Sequence, residues 1–223
     1  MVVVEQSGTR ILKRVRMEDV NPPVPAATSI MRSGTSLRPF TGRNPETRNT
    51  VSKCVSDTAA IGEQTSCLLL QAQGRIDAGD VGAGADFYRY IASATAFSPE
   101  ERLAGARKLY ELGEQSGDDA LREEALLGLL DAELIAGREA RSARRTLVAM
   151  ALERKDRPLA IERLDDVVAN DPTDARSLAN LAVLMRQEGR EGADERMARA
   201  IALLEDTGGT VPKGWTDFLK FGG

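Results

Sequence analysis

From residue 82 onward, apolar residues recur at helical spacing almost without a break. In GAGADFYRYIASATAF the apolar positions 87, 88, 91 and 94 share one helical face. Ser98-Pro99-Glu100-Glu101 reads as a helix start, with an N-cap serine, a first-turn proline and first-turn acids. The helix that follows sets Leu103, Ala106, Leu109, Tyr110 and Gly113 near one face. Gly117-Asp118-Asp119 ends it and caps the next, which is expected to run to Gly137. Four more helices are predicted over 139–155, 157–170, 174–189 and 191–206, with Pro158 harmless near a helix start and Asp174 as an N-cap. Upstream, the run CLLLQA within 61–80 predicts one short helix. Long helices on short connections must pack as antiparallel neighbours. The fold class is therefore all-α, a stack of antiparallel helical hairpins.

The first 60 residues break this pattern. Pro22, Pro23, Pro25, Pro39 and Pro45 are separated by Ser, Thr, Gly, Asn and Arg. Such a stretch buries too little apolar surface to offset its ordering entropy. An extended or disordered arm is expected over 1–60, then a short helix and linker over 61–81, a helical repeat domain over 82–207 and a tail over 208–223. In the tail, Trp215, Phe218 and Leu219 fall at i, i+3 and i+4, one face of a short helix. That face either caps the last hairpin or docks on a partner.

Residues 141–174 form a degenerate 34-residue unit that starts again at Ala175. Leu147, Val148, Ala160, Leu164, Val167 and Pro172 mark the first copy; Leu178, Leu181, Ala182, Met185 and Gly189 mark the second. Small residues sit where helix backbones cross closely and large ones fill the gaps between. The unit resembles the tetratricopeptide (TPR) repeat, although Arg144 is charged where that pattern is large and apolar. The resemblance implies a short TPR-like α-solenoid with a groove lined by the first helix of each hairpin. It would place Arg145, Ala149, Arg176, Asn180, Val183 and Arg186 in that groove, with arginines able to fork onto partner carboxylates. It also implies an all-protein set of partners. Arg145 and Asn180 match the family's clamp for chaperone tails, but Ala149 does not, which disfavours that ligand. The segment Thr28–Arg48 is similar, over about a dozen residues, to the linker of the TPR subunit of the ciliary BBSome. Its spaced residues Arg32, Arg38, Phe40 and Arg43 suit an arm lying along another protein.

Composition narrows the chemistry. Aromatic residues are 4% and charged residues 29%, so the core must be built from Leu, Ala, Val and Ile. Net charge is −4, which gives no bulk drive toward nucleic acid. The arm carries nine basic and five acidic residues, whereas the body has twenty-one and twenty-nine. Histidine is absent, which removes His general bases, His-based metal sites and the usual triads. Cys54 and Cys67 match no metal or redox spacing, and two reduced thiols are expected rather than one disulfide. There is no phosphate-binding glycine motif, and acidic pairs such as Asp165/Asp166 read as solvated helix faces. No catalytic residue, metal or cofactor is assigned. The expected function is a non-enzymatic interaction scaffold or structural subunit of a multiprotein complex, cytoplasmic or cytoskeletal/ciliary. The alternative is an accessory subunit of a mitochondrial or plastid complex, imported through the basic stretch Arg10–Arg16.

Overall fold

Ten helices follow in order in the computed structural model, which describes residues 45–57 and 61–220. They are α1 (Pro45–Asp57), α2 (Ile61–Asp77), α3 (Val81–Ser93), α4 (Pro99–Ser116) and α5 (Asp119–Asp131), then α6 (Gly137–Glu153), α7 (Arg157–Asn170), α8 (Ala175–Gln187), α9 (Ala193–Asp206) and α10 (Lys213–Lys220). No strand occurs among the described residues. Each helix packs on the next; α2–α3, α4–α5, α6–α7 and α8–α9 form hairpins, and α3 packs on α4 as closely as on α2. The described residues are thus a TPR-like stack of helical hairpins.

One joint recurs inside these hairpins. A residue in the left-handed region ends the first helix, and an aspartate beside it caps the second. The pairs are Gly79-Asp80, Gly117-Asp118 and Lys155-Asp156, thirty-eight residues apart each time. Asp80 accepts from the Ala83 amide, Asp118 from those of Ala120 and Leu121, and Asp156 from that of Leu159. The outgoing chain closes each first helix with a six-residue backbone bond: Asp80 to Arg75, Asp118 to Gly113, Asp156 to Ala151. α8 ends the same way at Gly189, with Arg190 donating to Met185, but no aspartate follows. Buried positions keep the same period: Tyr88, Leu126 and Leu164 correspond, as do Ile91, Leu129 and Val167. The repeat therefore extends upstream of residue 141 with a longer unit than the two copies at 141–204 display.

The ends of α5 and α1 differ from expectation. α5 stops at Asp131 instead of running to Gly137. Leu134 donates to the Leu129 carbonyl (3.0 Å) with Glu133 left-handed at φ 52°, and Ile135 turns into the core. Burying Ile135 requires the helix to end there. Residues 45–57 form helix α1, so the extended arm expected over 1–60 does not reach residue 60; residues 1–44 lie outside the described residues. The two reduced thiols are also corrected: Cys54 and Cys67 are joined by a disulfide, with Cα atoms 5.8 Å apart. A spacing of thirteen residues is uninformative in an extended arm. Once both cysteines stand on antiparallel helices it becomes adjacency.

The apolar interior has two parts. A large one runs from Val51 in α1 through Leu68, Phe87, Ile91, Leu109 and Leu129 to Leu147 and Met150 in α6. A second runs from Val148 through Ile161, Leu181 and Met185 into α8–α10. α6 thus supplies opposite faces to two cores. Ion pairs tie the second helices of successive hairpins: Arg89 holds Glu124 bidentately (2.7 and 2.8 Å), and Glu123 meets Arg163 of α7 (3.4 Å) and Arg154 beyond α6 (2.5 Å). Arg163 and Glu123 are both mostly shielded from solvent, which sharpens their mutual attraction.

Gly105 marks a close approach of α3 and α4. A Cβ there would stand 2.8 Å from Ile91 Cγ2 and 2.9 Å from the Ala92 backbone nitrogen. Glycine in a helix interior costs about 1 kcal/mol relative to alanine. Yet alanine at this site must push α3 and α4 apart, an overpacking cost of about 1–3 kcal/mol. Gly105→Ala is therefore expected to lower the urea midpoint of unfolding. A rise in midpoint would show that the two helices do not need this contact.

Candidate interaction surface

α6 and α8 run parallel, side by side, and two crossings fix their register. Arg145, midway along α6, donates to Asp174 at the start of α8 (2.9 Å). Further along, Leu152 and Lys155 share a cleft of about 540 Å³ with Leu184 and Glu188 of the α8 end, completed by Arg157 and Pro158. Asp174 is held firmly: the Ser177 amide and hydroxyl both donate to it (3.1 and 2.7 Å). Burial raises its pKa, but the bonds from Ser177 and Arg145 outweigh that and leave it below the usual value. The carboxylate thus stays ionised as N-cap of α8 and as anchor of Arg145.

The outward stripe of α6 comprises Arg138, Arg141, Ser142, Arg145, Ala149 and Leu152, all exposed. That of α8 comprises Arg176, Asn180, Val183 and Gln187, again all exposed. Because the helices are parallel, the two stripes form one face with a direction. Its leading end carries Arg138, Arg141, Arg145 and Arg176. Its far end carries Leu152 (44% exposed), Val183 (36%) and the cleft. Arg138, Arg141, Arg176 and Lys155 make no ion pair among the described residues.

Of the six groove residues expected from the sequence, five lie on this face: Arg145, Ala149, Arg176, Asn180 and Val183. Arg186 does not. It turns toward α10, stacks on the Phe218 ring (3.2 Å to the centroid), donates to the Phe218 carbonyl and pairs with Asp194. Trp215 and Phe218 pack half-buried against α8 and α9, and Leu219 stays exposed. α10 thus lies against the end of the stack, with no residue fully buried. Arg32, Arg38, Phe40 and Arg43 lie outside the described residues.

Sequence reasoning missed what borders the face. On the far side of α6, a cavity of about 290 Å³ has an apolar floor of Leu126, Leu129, Ile135 and Ala143. Tyr110, Glu111, Ser142 and Thr146 line it as well, and Arg107 and Glu139 pair across it between α4 and α6 (2.8 Å). Lys155, left-handed at φ 58°, was legible only as a turn residue, yet it stands at the cleft. Among the described residues no group of His, Cys, Asp or Glu is gathered to hold a metal ion. No helix there is long and apolar enough to cross a membrane.

These features define a TPR-like hairpin stack with a basic-to-apolar face, bounded at one end by an amphipathic helix. No family model matches the chain, and no curated protein matches it. Among solved structures, the Q17M form of a kinesin-light-chain-like protein of Podospora anserina, with nearly identical TPR-like repeats, matches at a TM-score of 0.36 and 17% identity. That match covers 74% of this chain and 90% of the other.

Proposed function

We propose that this chain is a non-enzymatic protein-interaction scaffold whose α6–α8 face receives an acidic segment of a partner protein. The observation that carries this reading is the cluster of exposed arginines, three of them without an ion pair, beside exposed Leu152 and Val183 on a chain of net charge −4. Guanidinium groups fork onto carboxylates bidentately, and an apolar cleft at the far end takes a side chain out of water. Residues 1–44, with Arg32, Arg38, Phe40 and Arg43, would supply a second contact that places the body on a larger assembly.

An array of synthetic acidic peptides, each carrying one Leu or Phe, tests the face. The full chain is expected to retain such peptides over basic ones. Replacing Arg138, Arg141 and Arg176 together by Glu should weaken binding at least about tenfold, since each charge-assisted bond contributes about 1.5–3 kcal/mol. Circular dichroism should not change, because these side chains hold no structural ion pair. Equal binding by the triple variant would reject the face.

A further inference from the structure

Of the expected groove positions, Arg186 is the one the α6–α8 face lacks, and its partners lie in α9 and α10 instead. Leu184 of α8 lines the cleft with Leu152 of α6, so it stands on the α6 side of its helix. Two residues along a helix is a turn of about 200°, so Arg186 projects from the opposite edge of α8. It follows Val183 by one turn, at the apolar end of the face. There its guanidinium lies on the Phe218 ring, donates to the Phe218 carbonyl and pairs with Asp194. Neither polar partner needs it. Asp194 is more than half exposed and lies in the first turn of α9, where the helix N-terminus favours its charge without a cation. The Phe218 carbonyl belongs to the last turn of α10, and water can take over its bond. α10 itself has eight residues and none is fully buried. Isolated helices shorter than about 12–15 residues are marginal in water, so α10 is helical because it is docked.

We propose that α10 is an autoinhibitory latch: while docked it withholds Arg186 from the α6–α8 face, and an acidic segment bound there takes Arg186 and releases α10. This inference rests on the reading of that face as a site for acidic segments. The competition is for one guanidinium. Docked, it has a ring, a neutral carbonyl and an exposed, solvent-screened ion pair. A carboxylate of the bound segment beside Val183 offers two charged acceptors to the guanidinium fork, the stronger kind of bond. The segment therefore binds the released form more tightly than the docked one, which is the differential affinity a population shift requires. Such coupling is reciprocal, so whatever loosens α10 strengthens binding at the face by the same factor. Release also uncovers part of the apolar end built from Leu178, Ala182 and Met197, on which Trp215 and Phe218 pack. That exposure opposes release, so the latch stays closed in the free chain.

Trp215 is the sole tryptophan of the chain and sits half-buried on α10, so its emission reads the latch directly. The test uses the full chain and the synthetic peptide Glu-Glu-Glu-Leu-Glu-Glu-Glu, with its lysine counterpart as control. Saturation with the acidic peptide should shift the Trp215 emission to the red and make it more accessible to acrylamide quenching. The lysine peptide should do neither. Phe218→Ala frees α10 and leaves Arg186 in place; it should bind the acidic peptide about five- to tenfold more tightly, within the range usual for coupled sites. Deleting residues 211–223 removes the latch by a second route and should give the same gain. Adding Arg186→Gln to Phe218→Ala should abolish the gain, because the recruited cation is gone. Binding of the acidic peptide with no change at Trp215 overturns the latch and leaves the face standing. So does equal affinity in the original chain, Phe218→Ala and the deletion, or a gain that survives Arg186→Gln. No binding by either the full chain or Phe218→Ala sinks the acidic-segment reading, and the latch with it.

Discussion

Phe87→Ala is expected to destabilise the fold by about 3–5 kcal/mol, the upper range for core truncation. Phe87 is fully buried, with 0% exposure, on a helix packed on both sides by α2 and α4. The surroundings cannot collapse into the void. Ala72, Ala92, Ala106 and Ala125 line the same core, and alanine has no rotamer with which to reach further. Closing the space would need helices to move, and Gly105 already brings α3 and α4 into close approach. Urea unfolding should show a large fall in midpoint at an unchanged slope. A loss below about 1 kcal/mol would mean that the first core is loosely packed. Composition makes the position more sensitive: the chain has only five phenylalanines.

Much of this core was legible because helix caps and apolar spacing are local. Ser98 with Glu101 forms the capping box its sequence suggests: each backbone amide finds the other's side chain. The hydroxyl of Thr65, from α2, adds a third partner at 2.6 Å. That bond, with the one from the Ser98 amide, holds the Glu101 carboxyl below its usual pKa. Thr65 could not be foreseen, since nothing local links residues thirty-six apart. The end of α5 was misjudged for a related reason. Glu133 takes a left-handed backbone angle that usually belongs to glycine, so its turn carries no compositional mark. The thirty-eight-residue period was hidden because its common feature is a joint, a left-handed residue followed by aspartate, rather than an apolar consensus.

The interaction face shows the same division. Exposure along α6 and α8 follows from periodicity, and five of the six groove positions share one surface. Arg186 departs because its fate depends on α10, which is joined through Gly208, Gly209 and Pro212 and bends back over it. A guanidinium at the end of a stack is drawn to whatever aromatic ring and free carbonyl come nearest. The disulfide was missed on similar grounds: pairing is decided by three-dimensional adjacency, and sequence spacing alone cannot report it.

Leu181→Ala should cost about 2–5 kcal/mol, but the loss should be felt in only half of the stack. Leu181 is fully buried in the second core, with Ile161, Leu164 and Met185. That core meets the first only at α6, where Val148 faces one side and Leu147 and Met150 the other. In a stack of hairpins, stability is the sum of each unit and its nearest-neighbour interfaces. Emptying the Leu181 site therefore weakens α7–α8 and α8–α9 directly. It reaches α2–α5 only through α6 and the Glu123 bridges to Arg154 and Arg163. Those bridges are too few to carry the full penalty. Hydrogen exchange should show protection falling at residues 161–167 and 197–203 and persisting at 87–91 and 106–112. Phe87→Ala should give the reverse pattern. Equal loss of protection in both halves would mean that α6 couples the two cores into one cooperative unit. The face formed by α6 and α8 would then rest on a single folding transition rather than straddling two.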